Sequence, residues 1–346
     1  MPNKDGEEGV YMKVVAGIDI GGTKCAVSFA RPGQEGVEIL SKVRMKSKRG
    51  FEEAMQTFIE VIRDELADHP QWELAAIGIS CGGPLDSRRG LVLSPPNLPD
   101  WDGVDCFTPL RRAFGVPVAL QNDADACALA EWRWGAGRGC SDMVFLTFGT
   151  GMGAGLILGG RLYIGSRNLA GEVGHVRLAE TGPEGYGKEG SFEGFCSGGG
   201  IARLGRQEAE RAIREGNPPL FCRTLEELPQ VTAKSIAQAL EQGDPLALSI
   251  YQTVGRYLGR GLAMLIDVLN PELIVIGSIY GRQRDVLEPV MREEIAKEAL
   301  SASAKSCRIE PAGLGEMVGD YAALSVAFQA LEEARRTVLL RKSKIS

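Results

Sequence analysis

The chain has 346 residues, 44% of them apolar and 24% charged, and its 45 acidic against 39 Lys and Arg residues leave a net charge of −6. That length points to two domains or one large one, and the acidic balance argues against a general nucleic-acid or membrane-surface role. No apolar run approaches the roughly 20 residues of a membrane span, and the polar start MPNKDGEEGVYMK lacks the apolar core of a secretory signal. Eight scattered cysteines with no C-x-x-C pair read as free, mostly buried thiols of a cytoplasmic protein.

In chain order, β-branched KVVAGIDI (Lys13–Ile20) predicts a strand, GGT a turn, KCAVSFA a returning strand, and GVEILSKVRM the third strand of a meander. Apolar residues at helical spacing mark a helix over Phe51–His69, and ELAAIGIS (Glu73–Ser80) a buried strand that runs into the breaker CGGP. LRRAFGVPVALQ reads as a helix end, a turn and a short strand, and Asn122–Trp134 as a helix. The Gly-rich GAGRGCSD then suggests a hinge, after which the pattern restarts: MVFLTFG a strand, TGMG a turn, AGLILGGRLY a returning strand. Farther on come a long apolar-striped helix over Asp244–Asn270, a strand in PELIVIGS, a helix in QRDVLEPVMREEIAKEAL, a strand in SCRIEP and a last helix over 317–336. The strand, glycine turn, strand unit occurs at Ile18–Ala26 and again at Phe148–Ile157, which suggests two similar α/β lobes across a cleft.

Both turns have the makings of a phosphate site. Gly21 and Gly22 permit close backbone approach to an anion, Thr23 adds a hydroxyl, and Asp19 at the strand end could hold Mg²⁺ directly or through water. The second turn, FGTGMGAG, offers Gly149, Thr150 and Gly151, with Gly153 and Gly155 beyond. It is no dinucleotide fingerprint, because strand rather than helix follows, and no G-x-x-x-x-G-K-[ST] run occurs. In QNDADACALAE, Asn122 is placed to cap a helix, and Asp123 falls in its first turn, where it either completes the cap or serves as a general base toward a substrate hydroxyl. Asp125 is expected to face elsewhere, as surface or secondary support.

GIDIGGTK, QNDADACALAE, FGTGMGAG and AGEVGH, in that order, together with GISCGGPLD, SPPNLPDW and LNPELIVIGS, resemble the sugar kinases of the ROK family over roughly residues 13–335. The resemblance implies the actin-like, ribonuclease-H-like ATPase fold, with two α/β lobes around a cleft: an N-terminal lobe of 13–134 on which helix 317–336 packs back, a C-terminal lobe of 135–316, and tails at 1–12 and 337–346. It implies ATP-dependent phosphorylation of a hexose hydroxyl, glucose first, with N-acetylhexosamine or fructose as alternatives and a non-catalytic sugar-binding regulator as another class. Carried over residue by residue, Asp123 matches the catalytic base. Asn122, Glu172, His175, Glu193 and, less closely, Asn97 match sugar contacts. Asp19, Gly21, Gly22, Thr23, Gly149, Thr150 and Gly151 match the phosphate segments, and Gly277 the adenosine side. ATP with Mg²⁺ near Asp19 is the expected cofactor, a homodimer the expected assembly, and neither nucleic acid nor membrane an expected partner. Repressors of the family carry a helix-turn-helix domain ahead of this fold; with only about a dozen residues before the first strand and an acidic pI, DNA binding is not expected.

One departure stands out. Family kinases follow the histidine with C-x-C-G-x-x-G-C-x-E, whose three cysteines and histidine make a closed structural zinc site. With Glu193 aligned on the motif's last residue, Glu184, Tyr186 and Ser191 stand where the cysteines belong, while Gly187 and Gly190 keep the two glycines. No zinc is expected, and Tyr186 packing with a Lys188–carboxylate pair is the expected substitute.

Overall fold

The computed structural model describes residues 11–33, 36–98 and 100–343. Of the two expected tails, residues 1–10 and 344–346 lie outside that range. The chain divides into two compact units, one running to Trp134 and resuming at Met317, the other Gly135–Glu316.

The first unit holds β1 (Met12–Ile20), β2 (Lys24–Pro32), β3 (Val37–Lys46), α1 (Phe51–Asp68), β4 (Trp72–Cys81), the short β5 (Leu85–Asp86), β6 (Leu91–Leu93) and β7 (Asp102–Asp105), α2 (Phe107–Phe114), β8 (Val118–Gln121) and α3 (Asp123–Trp134). Its main sheet runs β3-β2-β1-β4-β8, antiparallel from β3 to β1 and parallel from β1 to β8. The period-2 alternation of β1 feeds both faces. Val14, Ala16 and Ile18 join Met55, Phe58 and Ile62 of α1 in one core, while Val15 joins Leu324, Ala327 and Phe328 of the C-terminal helix in another. That helix approaches the sheet at backbone distance because Gly17 and Gly78 lie beneath it. A Cβ at Gly78 would sit 2.1 Å from the Ala327 nitrogen. The helix spans Val318–Ser343, so residues 337–343 extend it rather than form a tail.

The second unit holds β9 (Met143–Phe148), β10 (Met152–Ile157), the two-residue β11 (Glu184–Gly185) and β12 (Lys188–Glu189), α4 (Phe192–Phe195), α5 (Gly198–Arg214), α6 (Ala233–Glu241), α7 (Pro245–Leu269), β13 (Leu273–Ile276), α8 (Ile279–Arg282), α9 (Arg284–Glu298), α10 (Ser301–Ser306) and β14 (Arg308–Pro311). The sheet order is β10-β9-β13-β14. α7 starts and stops where its sequence dictates: Asp244 accepts from the Ala247 N–H, Pro245 takes the first turn, and Asn270 closes the helix at φ 45°. β10 is shorter than its apolar run, ending before Gly159 and Gly160 at positive φ. Gly153 and Gly155 therefore belong to the strand and only Gly149–Gly151 to the turn.

Candidate active site

In the first unit, the turn between β1 and β2 is closed by the Gly21 N–H donating to the Lys24 carbonyl at 3.2 Å. Ser47, just past β3, clamps it from outside: its N–H donates to the Thr23 carbonyl at 3.1 Å and its hydroxyl to the Gly21 carbonyl at 2.5 Å. With these carbonyls taken, the N–H groups of Gly22 and Thr23 have no hydrogen-bond acceptor among the described residues, and both residues are exposed. Two adjacent amides without an acceptor are of the kind that can hold an anion. Asn97, expected on the sugar side, rests on this turn, where a Cβ at Gly22 would lie 2.9 Å from its own Cβ.

Asp19 stands at the end of β1, half-buried. Burial raises its carboxyl pKa to about 6, Lys42 opposes the rise, and Asp320 and Asp123 add to it. Lys42 of β3 is ion-paired to Asp320 at the start of the C-terminal helix. Neither Lys42, Asp320 nor Ser47 was foreseeable from local pattern, because each reaches the turn from far along the chain.

Asp123 opens α3 directly after β8. Its Oδ1 accepts the Ala124 N–H at 2.9 Å. Its surface reaches water, yet surrounding protein crowds it, and that desolvation raises its pKa despite the opposing hydrogen bond. Asn122 is spent differently from expectation. Its Oδ1 accepts the Asp125 N–H at 2.7 Å, and its Nδ2 donates to Asp125 Oδ2 at 2.9 Å. Asp125 is thus no surface residue: it is 2% exposed and locks the helix start that aims Asp123.

In the second unit, the turn between β9 and β10 closes with Gly149 N–H donating to the Gly151 carbonyl at 3.2 Å. The N–H groups of Thr150 and Gly151 have no acceptor among the described residues. Gly277 continues β13, donating to the Leu146 carbonyl at 3.0 Å. The Ser278 hydroxyl beside it would meet a Cβ on Gly149 at 3.8 Å, so this turn and the expected adenosine segment adjoin. Ser278 itself sits at φ 54°, a strained conformation for a residue other than glycine.

AGEVGH lies along β10 because its two glycines allow it. A Cβ on Gly171 would fall 1.9 Å from the Ala154 carbonyl oxygen, and one on Gly174 2.2 Å from that of Met152. The close approach presents Glu172 and His175 at the surface, joined through a short 3-10 turn, Val173–His175. Glu193 reaches the same end of β10, its Oε2 accepting the Met152 N–H at 3.1 Å. The loop between His175 and Glu193 is held by hydrogen bonds. Lys188 Nζ donates to the His175 carbonyl at 2.8 Å rather than to a carboxylate, Arg177 to the Glu189 carbonyl at 2.8 Å, and the Ser191 hydroxyl caps α4 at Gly194. Tyr186 does meet the His175 ring edge-on, with centroids 6.3 Å apart. A cavity of about 300 Å³ near α2 plays no part, since Asp105 in its wall is occupied capping that helix at Phe107 and Thr108.

Two glycine turns, one beside an acid at its strand end and one beside a glutamate, thus stand where the phosphate segments were expected. The ROK family model matches residues 15–329. The chain belongs to the ROK family. A glucokinase of Thermotoga maritima is 31% identical over 90% of this chain and 96% of its own length. The Escherichia coli DNA-binding transcriptional repressor Mlc is 32% identical over 68% of this chain and 56% of its own length. The crystal structure of a ROK-family glucokinase from Streptomyces griseus in complex with glucose and AMPPNP superimposes with a TM-score of 0.71 and 28% identity, covering 91% of this chain and 99% of that one. The two α/β units are accordingly those of the actin-like ATPase fold.

Proposed function

We propose that this ROK-family chain, an ATP-dependent sugar kinase, transfers the γ-phosphoryl group of ATP to a hexose hydroxyl, in the first instance converting glucose to glucose 6-phosphate. Asp123 carries the reading. A carboxylate fixed at one oxygen by a backbone N–H, open to water and raised in pKa by crowding is suited to take the proton of an attacking hydroxyl near neutral pH. Asn122 and Asp125 contribute by rigidity, since a base must meet a hydroxyl at hydrogen-bond distance.

The residues fit a nucleotide. Four free amides, from Gly22 and Thr23 in one turn and Thr150 and Gly151 in the other, are donors of the kind that hold phosphate oxygens. Asp19, Asp123 and Asp320 against the single Lys42 leave an excess of negative charge around Asp19, which suits a cation. Asp19 would hold Mg²⁺, whose charge offsets that of the phosphates when the nucleotide is bound. Glu172, His175 and Glu193 are assigned to sugar hydroxyls as paired acceptors and donors. Asn97 has the weaker case because it packs on Gly22, and Asn122 the weakest because its amide is engaged with Asp125.

An ADP-coupled assay over glucose, fructose, allose, N-acetylglucosamine and N-acetylmannosamine tests the activity and its preference. ADP release with glucose is expected, and Asp123→Asn should lower kcat at least about 10² to 10⁴-fold while sugar still binds. The Mlc relative favours a second reading, a sugar-responsive regulator. Sugar binding by wild type without ADP release for any sugar would establish that reading and end the first.

A further inference from the structure

The second phosphate turn is aimed from behind. Its Gly149 and Thr150 carbonyls accept the N–H groups of Gly198 and Gly199, the first residues of α5, at 2.7 and 3.4 Å. A peptide plane whose carbonyl is pinned in one direction presents its N–H in the other, so this anchoring helps to direct the free amides of Thr150 and Gly151 outward. The remaining flank is closed by Glu193, whose Oε2 takes the Met152 N–H immediately after the turn. The same oxygen would lie 2.9 Å from a Cβ placed on Gly151, so the carboxylate lies against the turn itself. α4, which carries Glu193, is seated on α5 backbone to backbone: a Cβ on Gly200 would fall 1.9 Å from the Gly194 carbonyl oxygen. The α4–α5 segment therefore grips the turn at both ends. Glu193 Oε1 accepts no hydrogen bond among the described residues.

We propose that Glu193 is a positioning residue for the nucleotide-binding turn, holding Gly149–Met152 in register through its Oε2, and that the sugar-side role assigned to it falls to Oε1. One carboxylate then bridges the segment that handles phosphate and the segment that handles sugar. The inference rests on the kinase reading above and adds that an acceptor at this position, rather than its charge, sets nucleotide affinity.

Three substitutions separate acceptor, charge and reach. Glu193→Gln keeps an oxygen for the Met152 N–H and removes the charge. Glu193→Asp keeps the charge and loses one methylene of reach. Glu193→Ala removes everything. Binding of the ATP analogue AMPPNP to the intact chain without sugar, read by calorimetry, should leave Glu193→Gln within about threefold of wild type and weaken Glu193→Asp and Glu193→Ala about tenfold or more, the scale of one hydrogen bond to a charged group. The KM for sugar should rise in all three. Equal nucleotide affinity across the set, or a glutamine variant as weak as the alanine one, overturns the proposal. If the alanine chain fails to fold, the aspartate variant carries the comparison. Wild type that binds no AMPPNP at all would instead overturn the kinase reading beneath it.

Discussion

The two glycine turns share a plan, yet their surroundings differ in kind. The first, Gly21–Lys24, is governed by side chains: the Ser47 hydroxyl closes it, and Asp19, Lys42, Asp320 and Asp123 set its charge. The second, Gly149–Gly151, is governed largely by backbone, its carbonyls docked on the amides that open α5 and Glu193 the one carboxyl side chain among the contacts above. A turn controlled by charge should respond to pH and to lost carboxylates. A turn controlled by docking should respond to sterics and to its anchors. Under the proposed kinase reading, the first turn is the one to probe by charge and the second the one to probe by sterics.

The largest effect expected on nucleotide binding comes from filling the tighter turn. A Cβ on Gly21 would stand 2.7 Å from the Lys24 carbonyl oxygen, a backbone atom that cannot swing away. Gly21→Ala should therefore open the turn and weaken AMPPNP binding about 10- to 100-fold, the range of 1–3 kcal/mol of local strain. Binding within twofold of wild type would show that the outward amides do not hold the nucleotide.

Next comes pH, which should act through the first turn. Asp19 titrates at about 6 rather than near its usual 3.8, mainly through burial. The native chain thus holds a proton between about pH 4 and 6 that the unfolded chain has released. The contribution of Asp19 to stability is complete below pH 4 and is lost as pH rises through 6. In urea melts, the stability difference between Asp19→Asn and wild type should move in favour of the variant by on the order of 2 kcal/mol from pH 4 to pH 7. Activity should run the other way, because the charged form is the one that attracts a cation: kcat/KM of wild type should fall as pH drops below about 6. A flat stability difference over that range would show that burial does not raise the Asp19 carboxyl above its usual range.

At Gly151 the outcome should be milder. Its added Cβ would meet only the end of the flexible Glu193 side chain, which can turn aside at the loss of its bond to Met152. Gly151→Ala should cost nucleotide affinity about tenfold, the loss expected for Glu193→Ala and the lower end of the range for Gly21→Ala. A reversal of that order would mean that docking, not closure of the first turn, dominates phosphate binding.

Local pattern made both hairpins legible, since strand periodicity and glycine are readable within a dozen residues, and the same holds for the caps of α7. Asp123 and its helix start were legible too, but the use of Asp125 was not. A two-residue offset suggests opposite faces of a helix, whereas in the first turn a carboxyl at the third helical position returns to the cap. Ser47, Lys42 and Asp320 were invisible because tertiary packing brings them in, and Glu193 was readable only as a family sugar contact. Its bond to Met152 depends on the seating of α4 on α5, which no single segment encodes.

The smallest effect, a null, is expected from metal removal, and it tests whether docking alone holds the second unit's loop. The loop after His175 keeps its glycines for a steric reason. Gly190, at φ 63°, would place a Cβ 2.1 Å from the Ala179 carbonyl oxygen, and Gly194 one 2.0 Å from that of Pro183. The Gly190 carbonyl in turn accepts the N–H groups of Leu178 and Ala179 at 2.8 and 3.1 Å, and its N–H donates to Pro183 at 3.2 Å. Arg203 reaches the Glu184 carbonyl at 2.6 Å, and Lys188 the His175 carbonyl. Where the family's thiolates would converge on a metal, these backbone contacts and the side-chain donors Arg177, Lys188 and Arg203 close the same loop, and Glu184, Tyr186 and Ser191 supply no thiolate. Treatment with a strong chelator, followed by its removal and restoration of Mg²⁺ alone for the assay, should therefore leave the thermal unfolding midpoint and the sugar KM unchanged. Lys188→Met should lower the midpoint only slightly, by the scale of one solvent-facing hydrogen bond, about 0.5–1.5 kcal/mol. A clear drop with chelator, or about one equivalent of zinc per purified chain, would show that a metal rather than this hydrogen-bonded clasp sets His175 and Glu193 in place.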